Sequence, residues 1–167
     1  VGRTYSYYLD EKRMVMEAVI SKMDLSLSGT LSYTESVVNY IGKRINESGG
    51  GKRDIRAILR SFNRENYTNN DSIKKALSIS MFSWANDEKY LTISGGDGIL
   101  YEPIDLSSRE YLQDTINNPG NIYMGPPTIG AVSKQEIIPA GVGVSGIRSD
   151  GKNYSGVILF GFHKKNF

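Results

Sequence analysis

Apolar residues in the first quarter of the chain recur at helical spacing. Met16, Ile20, Met23, Leu27, Leu31, Val38, Ile41 and Ile45 form the series, and Thr34 fills one gap. Steps of four and three alternate, with one additional four between Leu27 and Leu31, which makes a heptad stripe with a single stutter. Gly29 and the neighbouring serines weaken its middle and place a kink or break near residues 26–32. Unbroken from Thr4 to Ile45, such a helix would be about 60 Å long at 1.5 Å per residue. A small sheet cannot cover that length, so part of the helix is expected to pack elsewhere. Ser48-Gly-Gly-Gly51 ends it. A second helix is predicted over Arg53–Asn63, with Ile55, Ile58, Leu59 and Phe62 on one face. Asn66–Asp71 reads as a polar loop, and Asp71 is placed to cap a short helix through Leu77.

From Ser78 the period shortens. Ser78–Trp84 and Lys89–Ser94 read as a hairpin across Asn86-Asp87-Glu88, and Gly95-Gly-Asp-Gly98 is a turn lacking the Lys-Ser/Thr of a phosphate loop. Asp105-Leu-Ser-Ser-Arg-Glu-Tyr111 leads into a helix-sized piece, followed by the Gly/Pro-punctuated run Tyr123–Gly130. Two β-rich strands close the chain, Glu136–Ile147 and Tyr154–Phe162, joined by Ser149-Asp150-Gly151. Helices first, strands second and hairpin-like connections predict an antiparallel sheet flanked by helices, in the α+β class.

Composition narrows the chemistry. The chain has 167 residues, enough for one domain with an appendage, and 39% hydrophobic against 23% charged residues marks an ordinary globular chain. A net charge of +2 gives no general basic surface for nucleic acid. With no cysteine and one histidine, His163, disulfides, thiol catalysis, a histidine triad and a multi-histidine metal site are excluded within one chain. No close pair of carboxylates sits in an apolar setting, so no catalytic site, metal or cofactor is expected. No run approaches the roughly 20 apolar residues of a membrane span. Val1 is not an initiator methionine, and the chain reads as a segment whose flanking membrane helices lie outside it.

Arg109 and Tyr111 are the leading binding candidates. A guanidinium offers a planar donor fork for a carboxylate, and the phenol adds a hydroxyl and an aromatic wall. Capping of a helix by Ser107 or Ser108 would put Arg109 in its first turn, among free N–H groups that favour an anion. Alternatively Arg109 pairs with Asp105 or Glu102 and Tyr111 fills the core. Trp84, Tyr90, Tyr101 and Tyr123 lie on or beside strands, where they line a pocket or belong to the core; Trp84 and Tyr123, next to turns, are the better pocket candidates. Lys52, Arg56, Arg60 and Arg64 recur every four residues off the apolar face of the second helix, a stripe that suits phosphates, acidic lipid or a partner and otherwise reads as a solvated side. Asn-X-Ser/Thr triplets such as Asn46-Glu-Ser48, Asn66-Tyr-Thr68 and Asn153-Tyr-Ser155 carry no weight in so Asn- and Ser-rich a chain.

The order of elements from about Ser78 to Phe162, with the phrase Asp105–Tyr111, resembles the Cache (PDC, PAS-like) family of extracytoplasmic sensor domains. The resemblance implies a long N-terminal helix over residues 1–50, membrane-proximal and dimerising, and a PAS-like sensor domain over 51–167. It implies no enzymatic activity in this segment. The parent would be an anchored bacterial receptor, a sensor histidine kinase first, a diguanylate cyclase or chemoreceptor next, with this part in the periplasm or on the extracellular face of the inner membrane. In the family, the arginine of the matching phrase faces a small-molecule ligand. The amino-acid-sensing version has an Arg-x-Trp-Tyr phrase and a late aspartate for the ligand's ammonium. Here the phrase is Arg109-Glu110-Tyr111-Leu112, and Tyr154–Phe162 holds no acid. A carboxylate or other anion is therefore the expected ligand, held by Arg109 and walled by Tyr111, Trp84, Tyr101 and Tyr123. The competing expectation is a structural or docking module that mediates dimerisation or partner binding and holds no ligand.

Overall fold

The computed structural model describes residues 27–68 and 79–163. The stripe before Leu27, the short helix ending at Leu77 and residues 164–167 lie outside the described residues.

Helix α1 runs Leu27–Ser48 and α2 runs Lys52–Thr68. Leu31, Thr34, Val38, Ile41 and Ile45 are all buried, so this part of the stripe faces a core, threonine included. That core is internal. Val38, Ile41 and Ile45 pack with Ile55 and Leu59 of α2 and with sheet residues Val142 and Val144. From Leu31 onward the stripe is consumed by the chain's own sheet and is not available to a second copy; the open side of α1 shows Tyr33 and Tyr40 instead. Gly29 lies within the continuous helix. At the far end Gly49 and Gly50 adopt φ of +94° and +71°, and the Gly50 N–H donates to the Ile45 carbonyl at 3.2 Å. Such left-handed residues satisfy the last carbonyls of a helix and turn the chain back into α2.

Seven antiparallel strands make the sheet: β1 Ser83–Asn86, β2 Tyr90–Ser94, β3 Gly98–Asp105, β4 Ile122–Met124, β5 Thr128–Ile129, β6 Glu136–Ile147 and β7 Asn153–His163. Their order is β3-β2-β1-β7-β6-β4, with β5 also beside β6. The short helix α3, Tyr111–Asn117, connects β3 to β4. The architecture is the expected α+β one, helices flanking an antiparallel sheet. The first strand is shorter than Ser78–Trp84, and β3 is an additional strand between the Gly-rich turn and the phrase. It occupies the sheet edge, where Pro103 removes no needed ladder donor and most side chains meet water.

Alternation along the central hairpin assigns two faces. Ala140, Val142 and Val144 of β6 with Ile158, Phe160 and Phe162 of β7 meet α1 and α2. Val157 and Leu159 point the other way, toward Tyr111, Leu112 and Tyr123. A bulge divides β2 in the same sense: Trp84 pairs with Ile93 and Ala85 with Leu91, leaving Thr92 as the extra residue. Leu91 and Ile93 therefore serve opposite faces despite their spacing of two.

Two close approaches fix the layers. The buried Asn63 of α2 donates to the Phe82 carbonyl at 3.0 Å and accepts from the Phe82 N–H at 2.7 Å, which ties α2 to the chain entering β1. On the other face α3 lies directly on β6, because Gly143 has no side chain to hold it off; a Cβ there would collide with the Thr115 carbonyl oxygen. Gly143→Ala is expected to cost about 2–3 kcal/mol by overpacking, measured by urea unfolding. Gly96→Ala is the control. A Cβ there meets only Ser94 Oγ, at 3.9 Å, and the midpoint should stay within about 0.5 kcal/mol of the parent.

Candidate functional site

On the face opposite α1 and α2, the seven-residue α3 covers only part of the sheet. Beyond it lies a cavity of about 410 Å³, within the range of small-ligand pockets. Its floor is Ser83 of β1, Leu91 of β2, Ile137 of β6 and Leu159 of β7. Two loop segments roof it, Leu106–Tyr111 and Gly130–Gln135.

The first roof segment is shaped by local hydrogen bonds. Asp105 Oδ1 accepts from the Ser107 N–H at 2.8 Å, the Leu106 N–H donates to the Lys89 carbonyl at 2.8 Å, and the Arg109 N–H donates to the Leu106 carbonyl at 2.9 Å. Bonds from Ser107, side chain first and backbone second, hold the exposed Asp105 carboxyl below its ordinary range. A short polar side chain that bonds the backbone two residues on makes a turn, so the chain reverses here before helix begins. The expected start near Ser108 gives way to Tyr111, preceded by Glu110 without a side-chain cap. Arg109 thus stands in the turn ahead of α3, and its position owes nothing to a helix terminus.

Arg109 links the two roof segments. Its Nη2 donates to the Ile129 carbonyl at 3.2 Å, and no ion pair with Asp105 or Glu102 is found among the described residues. Its charge also acts on the buried Tyr111 phenol. Tyr111 is only 4% exposed. Burial pushes its hydroxyl from an ordinary 10.0 up to about 12, against the opposing pull of the nearby Arg109 charge. At neutral pH the wall of the cavity therefore holds a cation and a protonated phenol. The second segment is closed by β5–β6 pairing and by bonds within its loop, Gly130 N–H to the Gln135 carbonyl at 2.8 Å and Lys134 N–H to the Gly130 carbonyl at 3.0 Å. It brings Ser133 and Gln135 to the cavity, and His163 reaches the wall from the end of β7.

Of the five aromatic and cationic candidates, the structure brings Arg109 and Tyr111 together at the cavity. Trp84 packs with the helix-side core, because its strand position points it away from α3. Tyr101 is 98% exposed on the edge strand β3. Tyr123 lies fully buried beneath α3, in the core that contains Leu112 and Val157, and not in the cavity wall. Burial, with the nearby Asp114 charge, pushes its hydroxyl up to about 12. Sequence reasoning passed over the Gly130–Gln135 roof, which follows the Gly/Pro run it treated as punctuation, and His163, which it placed in a charged tail. Among the described residues no group of carboxylates and histidines could hold a metal.

No protein-family model and no curated protein matches the chain. Solved structures do. The extracellular domain of a candidate histidine kinase, rpHK1S-Z16, matches with a TM-score of 0.60 at 15% identity over 94% of this chain and 59% of its own. The ligand-binding domain of the Campylobacter jejuni chemoreceptor Tlp3, in complex with L-valine, matches at 0.56 with 16% identity over 99% and 66%. The ligand-binding domain of Mlp24 with asparagine matches at 0.55 with 9% identity over 97% and 60%. The chain spans about 60% of the length of these structures. It carries the fold expected from the resemblance, that of a Cache sensor domain, and its neighbours are sensory and ligand-binding domains.

The Tyr111 hydroxyl gives a test of this geometry. The native state keeps its proton up to about pH 12, while the unfolded chain loses it near 10.0. Stability should therefore be intact below pH 10 and fall as pH rises toward 12, by about 2–3 kcal/mol for this group. Tyr111→Phe should unfold with a shallower alkaline decline, followed by urea midpoints at each pH. Parallel declines in the two proteins would mean that the phenol is not buried as described.

Proposed function

We propose that the chain is the extracytoplasmic ligand-sensing domain of a bacterial membrane receptor, a sensor histidine kinase in first place, and that it binds a small carboxylate or related anion in the cavity under the two roof segments. One observation carries the reading. The cavity wall contains one guanidinium and no carboxylate among the described residues, in a fold shared with solved sensory domains.

The neighbours' ligands include asparagine and L-valine, which carry an ammonium as well as a carboxylate. A buried ammonium requires a compensating acid or a set of acceptors. β7 offers no acid and the cavity wall none, so the arrangement favours the anionic half of such a ligand. Arg109 takes the anion with its free donors, the Tyr111 hydroxyl donates beside it, and Leu91, Ile137 and Leu159 supply an apolar floor. His163 adds an imidazole to the wall. No step of bond making or breaking is assigned to the site.

A dimer of the parent receptor belongs to the same reading, with one revision to its interface. Because the stripe from Leu31 onward is spent on the sheet, pairing along this stretch of α1 would use the side that carries Tyr33 and Tyr40.

A thermal-shift panel of small monocarboxylates, dicarboxylates, phosphates and amino acids tests the site. A ligand at a hundred times its Kd adds about 2.7 kcal/mol, a rise of roughly 5–10 °C for a domain of this size. At least one carboxylate should produce it, and Arg109→Ala should abolish it without lowering the melting temperature of the free protein by more than a few degrees. Silence across the whole panel would favour the docking module, and an amino-acid response indifferent to Arg109 would move the anchor elsewhere.

A further inference from the structure

The sensing cavity makes no use of the cationic face of α2. Lys52, Arg53, Arg56, Arg60 and Arg64 all occupy exposed positions there. Arg56 and Arg60 stand between two depressions. One, of about 230 Å³, is bounded by these two arginines and by the Ser94–Gly98 turn, over a floor that includes Leu59 and Ile93. The other, of about 310 Å³, follows the helix past Arg53, Arg56, Arg60 and Arg64. The turn is shaped to admit Arg56: Gly98 has a φ of +79°, and a Cβ on it would stand 2.8 Å from Arg56 Nε.

Like charges four residues apart on a helix repel and weaken it. Among the described residues, no ion pair joins Arg53, Arg56 or Arg60 to a carboxylate. Arg53, Arg56 and Arg60 therefore set their charges side by side without an ion pair to any described carboxylate. Four residues of helix advance about 6 Å, so the arginines present guanidinium forks at a regular interval along a groove. A single small anion would engage one or two of them. An anionic chain lying in the groove would engage the whole row, and each fork suits the paired oxygens of a phosphate.

We propose that this face of α2 is a binding site for a linear phosphate-bearing polyanion in solution, separate from the sensing cavity. The polymer is favoured over a bilayer because the turn beside the groove exposes Asp97. A flat anionic surface would press against that carboxylate, whereas a narrow chain lies in the groove and passes it. The site does not depend on the sensing reading, and the tests of the two fail separately.

Fluorescence anisotropy with labelled inorganic polyphosphate, on the full chain, tests the proposal. Binding should weaken with salt along a log–log slope of about −3, as expected when three or four cations displace counterions. Arg56→Gln combined with Arg60→Gln should lower the affinity at least about tenfold and make the slope shallower by about two, while the melting temperature holds or rises. Arg109→Ala should leave polyphosphate binding unchanged. Equal affinity of the double variant, orthophosphate competing as well as the polymer, or capture by phosphatidylglycerol vesicles without capture of polyphosphate would each overturn the assignment.

Discussion

The β6–β7 hairpin governs this structure. Its two strands pair over eleven residue pairs, from Ile137 with His163 to Ile147 with Asn153, and both of its faces are apolar through the middle. A sheet face left in water would forfeit roughly 25 cal/mol for each Å² of apolar surface, so both faces demand cover. Two full-length helices meet the demand on one side. On the other the chain supplies only seven residues of helix, drawn tight to the sheet by Gly143, and two loop segments extend beyond it. Loops carry their own polar backbone and cannot fill an apolar surface as closely as a helix can. The cavity is what remains between a floor that needs cover and a roof too irregular to supply all of it.

Much of this was legible in the residues. The stripe of α1, the apolar face of α2, the glycine stop between them, the turn at Ser149–Gly151 and both long strands follow from periodicity and turn chemistry, which are local signals. What escaped is set by distant partners. Leu91 and Ile93 look as though they share a face, and only the bulge opposite Trp84 and Ala85 separates them. Trp84 looked like a pocket residue because a turn follows it, yet its face is decided by pairing with Ile158 of β7, more than seventy residues away. β3 has no clean alternation because an edge strand half in water has little to alternate. Arg109 and Tyr111 were found by their chemistry and by the phrase that contains them. The Gly130–Gln135 roof had neither, since its part in the cavity comes from β5 pairing with β6.

Arginine serves two opposite electrostatic roles in the fold. Arg109 is half-buried, bonded to the Ile129 carbonyl and close to a desolvated phenol, so its charge is less fully screened than one standing free in water. One anion placed there gains much and has few alternatives, which suits selective binding of a small molecule. The α2 arginines stand in water, where each contributes little alone and salt screens all of them. Their strength lies in repetition. On the two proposals, the same side chain would give a selective site on one face of the sheet and a cumulative, salt-sensitive one on the other.

A ligand in the cavity can alter the rest of the receptor only if it favours one arrangement over another; equal affinity for both shifts nothing. On the proposed sensing reading, the groups able to carry such a difference are those that join the cavity side to α1. The segment after α3 is attached to α1 by polar bonds: Asn39 donates to the Gly120 carbonyl at 2.9 Å and Glu35 accepts from the Ile122 N–H at 2.9 Å. Farther along α1, Asn46 donates to the Ser145 carbonyl at 3.2 Å and accepts from the Tyr154 hydroxyl, at the tip of the β6–β7 hairpin. Between these two attachments the contact is close-packed and apolar, and such an interface moves between discrete fits more readily than it deforms. Anion capture at Arg109 would draw on the same guanidinium that holds Ile129, and so on the roof that leads through Tyr111 into α3. A shift of α3 then has a short route to α1 through Gly120 and Ile122, whereas the interior of the sheet, paired along its whole length, offers none as soft.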